Sequence, residues 1–279
     1  MSTTNSTNVP DQYAVFGNPI AHSKSPLLHK AFAKQCGQHL SYGAILAPFD
    51  QFEATLKTFI EHGGRGANVT LPFKLEAYSL CSILTPRAQA AGAVNTLWFE
   101  HGQIFGDNTD GCGLIRDIVN NAGFALKDKR VLLCGAGGAA RGAVLPLLEC
   151  QPAELIIANR SMDKAQELLI EFQNHGTLTA VPFEQLQGPF DVIINATSAS
   201  ISAQRPAIPD SAIKTDTLAY DMMYAAQPTP FMQHAAQLGA ITRDGWGMLV
   251  EQAAEAFFMW RGVRPVTKEL LIRENLPAG

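Results

Sequence analysis

The chain has 279 residues, 47% apolar and 16% charged, with a formal net charge of −4. That length supports about two ordinary domains with a sizeable core. The weak negative charge, with no run of Lys or Arg, excludes the basic footprint of a nucleic-acid binder and leaves small molecules as the expected partners.

The five scattered cysteines form no CxxC pair and no zinc spacing. Free thiols in a reducing compartment are therefore expected, and with them a cytoplasmic location and no metal site. The polar start MSTTNSTNVP lacks the apolar stretch of a signal peptide and reads as a frayed terminus. No apolar run approaches the roughly 18 residues of a membrane span.

In chain order, YAVFG (13–17) reads as a strand and SPLLHKAFAKQ (25–35) as a helix with Ser25 at N-cap and Pro26 at the first helical position. SYGAILA (41–47) is a strand, DQFEATLKTFIEH (50–62) a helix, and GANVT (66–70) a strand feeding a short helix from Pro72. Another short helix is expected near Arg87. AVNTLWFE (93–100) and QIFGD (103–107), joined by His101-Gly102, carry a hairpin signal. DGCGLIRDIVNNAG (110–123) reads as a helix capped by Asp110 and closed by Gly123.

The pattern then restarts. Strands are expected at 130–135, 154–159, 177–181, 190–197 and 217–221, and their buried, β-branched character predicts a parallel sheet covered on both faces. A last long helix, from about Trp246 to Trp260, is apolar enough to pack between the two units.

VLLCGAGGAARGAVLPLLE sets Gly135, Gly137 and Ala140 in a GxGxxA pattern between a strand and a helix. Gly135 permits the tight turn, Gly137 lets backbone approach a pyrophosphate, and Ala140 keeps the helix close to its strand. Dinucleotide binding is the expectation. The next strand ends in IIANRSMDKA, with no acid to accept from a ribose hydroxyl. Arg160 and Lys164 there favour the extra phosphate of NADP over NAD.

A nicotinamide enzyme acting on an alcohol or ketone needs a group that moves the hydroxyl proton. Lys74 and Asp110 both sit at helix starts that follow strands. Lys74 is awkward there, because a cation near the positive end of the helix dipole is disfavoured by roughly 0.3–1 kcal/mol. Either it is simply solvated and Asp110 a plain cap, or the two face one cleft. Ser23 and Ser25 would bind a carboxylate, or Ser25 only caps its helix. Asn95, Tyr224 and Gln252 are polar residues in apolar runs, equally readable as satisfied core groups. His22 and His29 read as structural.

Nine stretches, GNPIAHSKSP, GANVTLPFK, AGAVNT, GDNTDG, GAGGAARG, NRS, NATS, YDMMY and GMLVEQAAEAF, together resemble the shikimate dehydrogenase family over nearly the whole chain after the first ten residues. The resemblance implies an α/β fold of two domains with a cleft between them. The N-terminal α/β substrate domain would comprise 1–110, joined by C-terminal helices 246–279, and a Rossmann-like, doubly wound NADP-binding domain 111–245. It implies Lys74 and Asp110 as the catalytic pair. Ser23, Ser25, Thr70, Asn95, Asp110, Tyr224 and Gln252 would line the shikimate site, the serines taking the carboxylate and Asn95, Asp110 and Gln252 the ring hydroxyls. Gly135, Ala136, Gly137, Gly138 and Ala139 would carry NADP. Asn159, Arg160, Ser161, Met162, Asp163 and Lys164 would surround the adenosine phosphate, with Met222 and Gly245 near the nicotinamide.

Three positions depart from the family pattern: Pro86 where an acid is common, Ser200 where glycine is usual, and Ser161 for threonine. Two other readings stand beside the reduction of 3-dehydroshikimate: a quinate/shikimate relative using NAD, and a non-catalytic NADP-binding protein. Monomer and homodimer are both left open.

Overall fold

The computed structural model describes residues 9–277; the expected fraying of the first residues lies outside them. The first sheet has six strands in the order β2-β1-β3-β5-β6-β4. Its elements are β1 (Asp11–Gly17), α1 (Ser25–Gln35), β2 (Leu40–Leu46), α2 (Phe52–Glu61), β3 (Gly64–Val69), α3 (Lys74–Leu80), β4 (Ile83–Leu84), α4 (Pro86–Ala91), β5 (Thr96–Glu100) and β6 (Gln103–Asp107). β1 pairs in parallel with β2 and β3, whereas β5 runs antiparallel to β3 and β6. The hairpin turns at His101 and Gly102, with φ of 50° and 73°, the left-handed pair that matches strand twist.

α5 (Asp110–Arg116), extended by a π turn over Asp117–Asn121, leads into the second sheet. There follow β7 (Arg130–Cys134), α6 (Gly138–Glu149), β8 (Glu154–Ala158), α7 (Met162–Phe172), β9 (Leu178–Val181), β10 (Phe190–Asn195), β11 (Ile213–Asp221), α8 (Pro230–Gln237), β12 (Ile241–Asp244) and α9 (Trp246–Arg261). All six strands are parallel in the order β12-β11-β10-β7-β8-β9. This is the doubly wound order, with β7 next to the switch point where ligands bind.

Both faces of that sheet are covered, as the strand composition predicts. Val131, Leu133, Leu155, Ile157, Val192 and Ile194 face α6 and α7, while Leu132, Cys134, Ile156, Ile193 and Ala219 face α8. β12 was not expected from sequence; ITRD is too short and polar to carry strand periodicity. The Ser25 cap is corrected: Lys24 precedes the helix, and the Ser25 amide instead donates to Ser23 Oγ at 3.3 Å.

α9 ties the units together. It packs on α1 through Trp246, Val250 and Phe257. Gly113 of α5 sits so close that an added Cβ would lie 2.8 Å from the Met248 carbonyl. A chain of ion pairs follows the same path. Asp117 is fully buried, grips Arg243 of β12 at 2.6 and 2.7 Å, and accepts from Tyr220 at 2.8 Å. Asn121 links Asp117 to Glu251 of α9; Arg264 joins Glu251 to Glu255; and Arg87 connects Glu255 to Asp107 of β6.

His29 of α1 is fully buried, stacks on Tyr42 at 4.1 Å, and among the described residues neither ring nitrogen has a hydrogen-bond partner. Burial lowers its pKa from 6.5 to about 3. An unfolded histidine therefore takes its proton near pH 6.5 while the folded chain refuses it. Stability falls as pH drops between those values, by up to roughly 1.4 kcal/mol per unit. Urea midpoints measured from pH 7 to pH 4 should drop less steeply for His29→Phe than for wild type. Equal slopes would remove His29 from this effect.

Candidate active site

α3 begins at Lys74 itself rather than at Pro72. Thr70 to Phe73 form a turn, closed by the Phe73 amide on the Thr70 carbonyl at 3.0 Å, and the Leu71–Pro72 bond is cis. The ammonium thus stands on the first helical residue, the place the dipole favours least. What offsets this is Asp110, whose Oδ2 lies 2.5 Å from Lys74 Nζ. Asp110 is not the cap of α5; Thr109 precedes the helix, and the carboxylate turns away to Lys74 and Asn95. The pair stays 26% and 19% exposed, so a ligand can reach it.

Asn95 Nδ2 donates to Asp110 Oδ1 at 2.8 Å and to Gln252 Oε1 at 3.3 Å. Gln252 comes from α9, seven residues after Gly245 at the end of β12. At 1.5 Å per residue that is roughly 10 Å along one rigid helix between the second sheet and the Lys74 cluster. Sequence reasoning left Asn95 and Gln252 open between core and site; they join Lys74 and Asp110 in one hydrogen-bonded group.

Ser23 and Ser25 pair at the start of α1. Tyr42 links that corner to the centre: its hydroxyl donates to Asn68 Oδ1 at 2.7 Å, and Asn68 Nδ2 donates to the Asn95 carbonyl at 3.1 Å. Burial holds the Tyr42 phenol well above its usual pKa, with Ser25 acting the other way. Asn68 and Tyr42 escaped the sequence reading, although Asn68 sits two residues before Thr70 in the same motif. Thr70 packs its methyl toward Gly17, and Tyr224 lies edge-on to Trp246 at 5.8 Å; neither side chain hydrogen-bonds to the Lys74 cluster.

The glycine loop has the form a dinucleotide needs. Gly135 has φ +107°, and an added Cβ would meet the Ala196 carbonyl at 3.2 Å, so only glycine turns there. Gly137 caps α6 and Gly138 opens it, and among the described residues nothing beyond their own helix and chain neighbours lies within 4 Å of where either Cβ would project. A larger side chain would fill the space into which the N-terminal amides of α6 point, and a pyrophosphate fits it. Ala136 and Ala140 are buried, while Ala139 is exposed on the first turn. Asn159 donates to the Ser161 carbonyl at 2.8 Å, shaping the strand end. Arg160, Asp163 and Lys164 are exposed around the start of α7 at Met162, and among the described residues Arg160 and Lys164 have no ion-pair partner. Gly245 presses on Met222, where a Cβ would come within 2.1 Å of the carbonyl oxygen.

The departures are accommodated. Ser200 donates to Asp221 at 2.6 Å and accepts from Asn195, bracing the loop after β10. Pro86 takes the first position of α4 behind the Thr85 cap. All five cysteines are free. No helix among the described residues is long and apolar enough to cross a membrane.

A phosphate loop at the switch point of a parallel sheet, joined by one helix to a half-buried Lys–Asp pair, defines a two-domain nicotinamide oxidoreductase. The family model for the shikimate dehydrogenase substrate-binding domain matches residues 15–97, that for shikimate/quinate 5-dehydrogenase 117–221, and that for the shikimate 5'-dehydrogenase C-terminal domain 245–269. The NADP-dependent shikimate dehydrogenase of a Janthinobacterium species is 58% identical, covering 92% of this chain and 94% of its own. An Ael1 enzyme from Pseudomonas putida superposes with a TM-score of 0.92 at 49% identity, covering 96% of this chain and 99% of its own. Shikimate 5-dehydrogenase from Thermus thermophilus, solved with NADP(H) and shikimate, superposes at 0.84 and 33% identity, covering 94% and 98%. The chain belongs to the family of NADP-dependent shikimate dehydrogenases.

Proposed function

We propose that the protein catalyses the reversible reduction of 3-dehydroshikimate to shikimate with NADPH, a step toward chorismate and the aromatic amino acids. The observation that carries this is the 2.5 Å contact between Lys74 Nζ and Asp110 Oδ2, ringed by the amides of Asn95 and Gln252. Substrate would lie on the unit made of 1–110 and 246–279, and cofactor on 111–245.

When bound, NADPH supplies hydride to the carbonyl carbon. The oxygen then needs one proton, and Lys74 Nζ, held by Asp110, delivers it; in the oxidative direction the pair takes it back. Ser23 and Ser25 hold the substrate carboxylate, while Asn95 and Gln252 fix the ring hydroxyls, with Thr70 and Tyr224 lining the rim. Met222 and Gly245 flank the nicotinamide end. The free thiols support a cytoplasmic location, and sedimentation decides between monomer and homodimer.

Arg160 and Lys164 support the choice of NADP. Arg160→Ala is expected to weaken NADP binding roughly 10- to 100-fold, the worth of a charge-assisted contact, with NAD binding unchanged. Fluorescence titration of both cofactors checks this.

The activity itself is tested by reduced-nicotinamide absorbance with shikimate or quinate and NADP or NAD. Fast turnover with shikimate and NADP alone is expected. Activity with NAD would favour the quinate-type reading. A folded protein that binds NADP and turns over nothing would favour a non-catalytic binder.

A further inference from the structure

The carboxamide of Asn95 has one donating end and one accepting end, and only the first can face a carboxylate. Turned over, it would set its Oδ1 against Asp110 Oδ1, two acceptors together. Its orientation is therefore part of the site, and residues outside the cluster set it. The Thr109 backbone amide donates to Asn95 Oδ1 at 2.9 Å, and the Thr96 hydroxyl donates to the same oxygen at 2.8 Å. The Asn95 backbone is clamped as well, its amide on the Asp107 carbonyl at 3.0 Å and its carbonyl taking the Val69 amide at 2.8 Å.

Thr96 is fully buried in β5. Its hydroxyl accepts from Asn68 Nδ2 at 3.1 Å. Its single proton goes to Asn95 Oδ1 at 2.8 Å, the nearer acceptor, with the Thr109 hydroxyl oxygen farther off at 3.4 Å. Hydroxyl and amide dipoles thus align in one direction: Tyr42 to Asn68, Asn68 to Thr96, Thr96 to Asn95, Asn95 to Asp110. Such aligned chains strengthen each member.

We propose that Thr96 is a positioning residue: its buried hydroxyl locks the Asn95 amide so that Nδ2 faces Asp110, and so holds the carboxylate aimed at Lys74. This rests on the shikimate dehydrogenase reading, yet it makes a claim of its own about which group orients the pair. The hydroxyl is the active part, and the methyl only packs.

Thr96→Val removes the hydroxyl at nearly constant shape. Asn68 Nδ2 keeps one of its two acceptors, the Asn95 carbonyl at 3.1 Å, and loses the other, so one buried amide proton is left unpaired. The expected result is a kcat lower by roughly 10- to 100-fold, the size of effect that misplacing a reacting group by about an ångström produces. KM for NADP should stay near wild type, the melting temperature should fall by a few degrees for the one unpaired amide proton, and Thr96→Ser should restore both kcat and the melting temperature. The Asn95 side-chain amide signals in a 15N–1H spectrum should shift in the Val variant and return in the Ser variant.

A Val variant with wild-type kcat and unmoved Asn95 signals would overturn the proposal. So would a Ser variant as impaired as Val, because the methyl would then be what matters. If the wild-type protein turned over no shikimate, the parent reading would fail, while the amide signals would still decide whether Thr96 orients Asn95.

Discussion

Replacing Lys74 by methionine is expected to lower kcat by roughly 10²- to 10⁴-fold, the usual contribution of a positioned proton donor, and to leave the melting temperature within a few degrees. The expectation rests on what the side chain does and does not touch. Among the described residues its only polar partner is Asp110, and it stays partly exposed. Removing a cation from the first residue of α3 also removes an unfavourable dipole interaction. Asp110 loses its cation but keeps the Asn95 amide at 2.8 Å and enough exposure for water to solvate its charge. A methionine variant with full turnover would take Lys74 out of the chemistry. One that unfolds would make it a structural residue instead.

Asp117→Ala carries the opposite signature. Asp117 has no exposed surface, and its carboxylate accepts from Arg243, Tyr220 and Asn121 at once. Gly247 is pressed so close that a Cβ there would clash with the Asp117 carboxylate. Breaking a buried pair from one side costs about 3–5 kcal/mol, because the partner charge is left behind. For a chain of this size that is a drop of roughly 10 °C in melting temperature. Asp117 hydrogen-bonds to no member of the Lys74 cluster, so kcat per folded molecule well below the transition should stay near wild type. Calorimetry with a low-temperature assay checks both halves; an unchanged melting temperature would mean that Arg243 finds another partner.

Lys74 and Asp110 were legible because each contradicts or exceeds its local job: a cation where the dipole is positive, and an acid after a strand in GDNTDG. The glycine loop was legible through its strand–loop–helix setting, which fixes what each glycine must do. Asn95 and Gln252 were not decidable, since a buried amide looks the same in sequence whether it serves core or site. Thr96 and Asn68 were missed for a related reason: their work lies in hydrogen bonds to each other across β3 and β5, and pairing register cannot be read from either strand alone. The start of α3 was misplaced because proline signals a helix start and a turn alike, and here Pro72 lies in the turn.

The central claim is that Lys74 and Asp110 act on the substrate hydroxyl as one unit, and the most direct test is a double-mutant comparison. kcat for shikimate oxidation would be measured in Lys74→Met, Asp110→Asn and the double variant. If the pair is one proton-handling unit, the double variant is about as slow as the slower single one, as residues acting together are strongly non-additive. If the two losses multiply, each residue works alone, and the 2.5 Å contact is not the reaction centre.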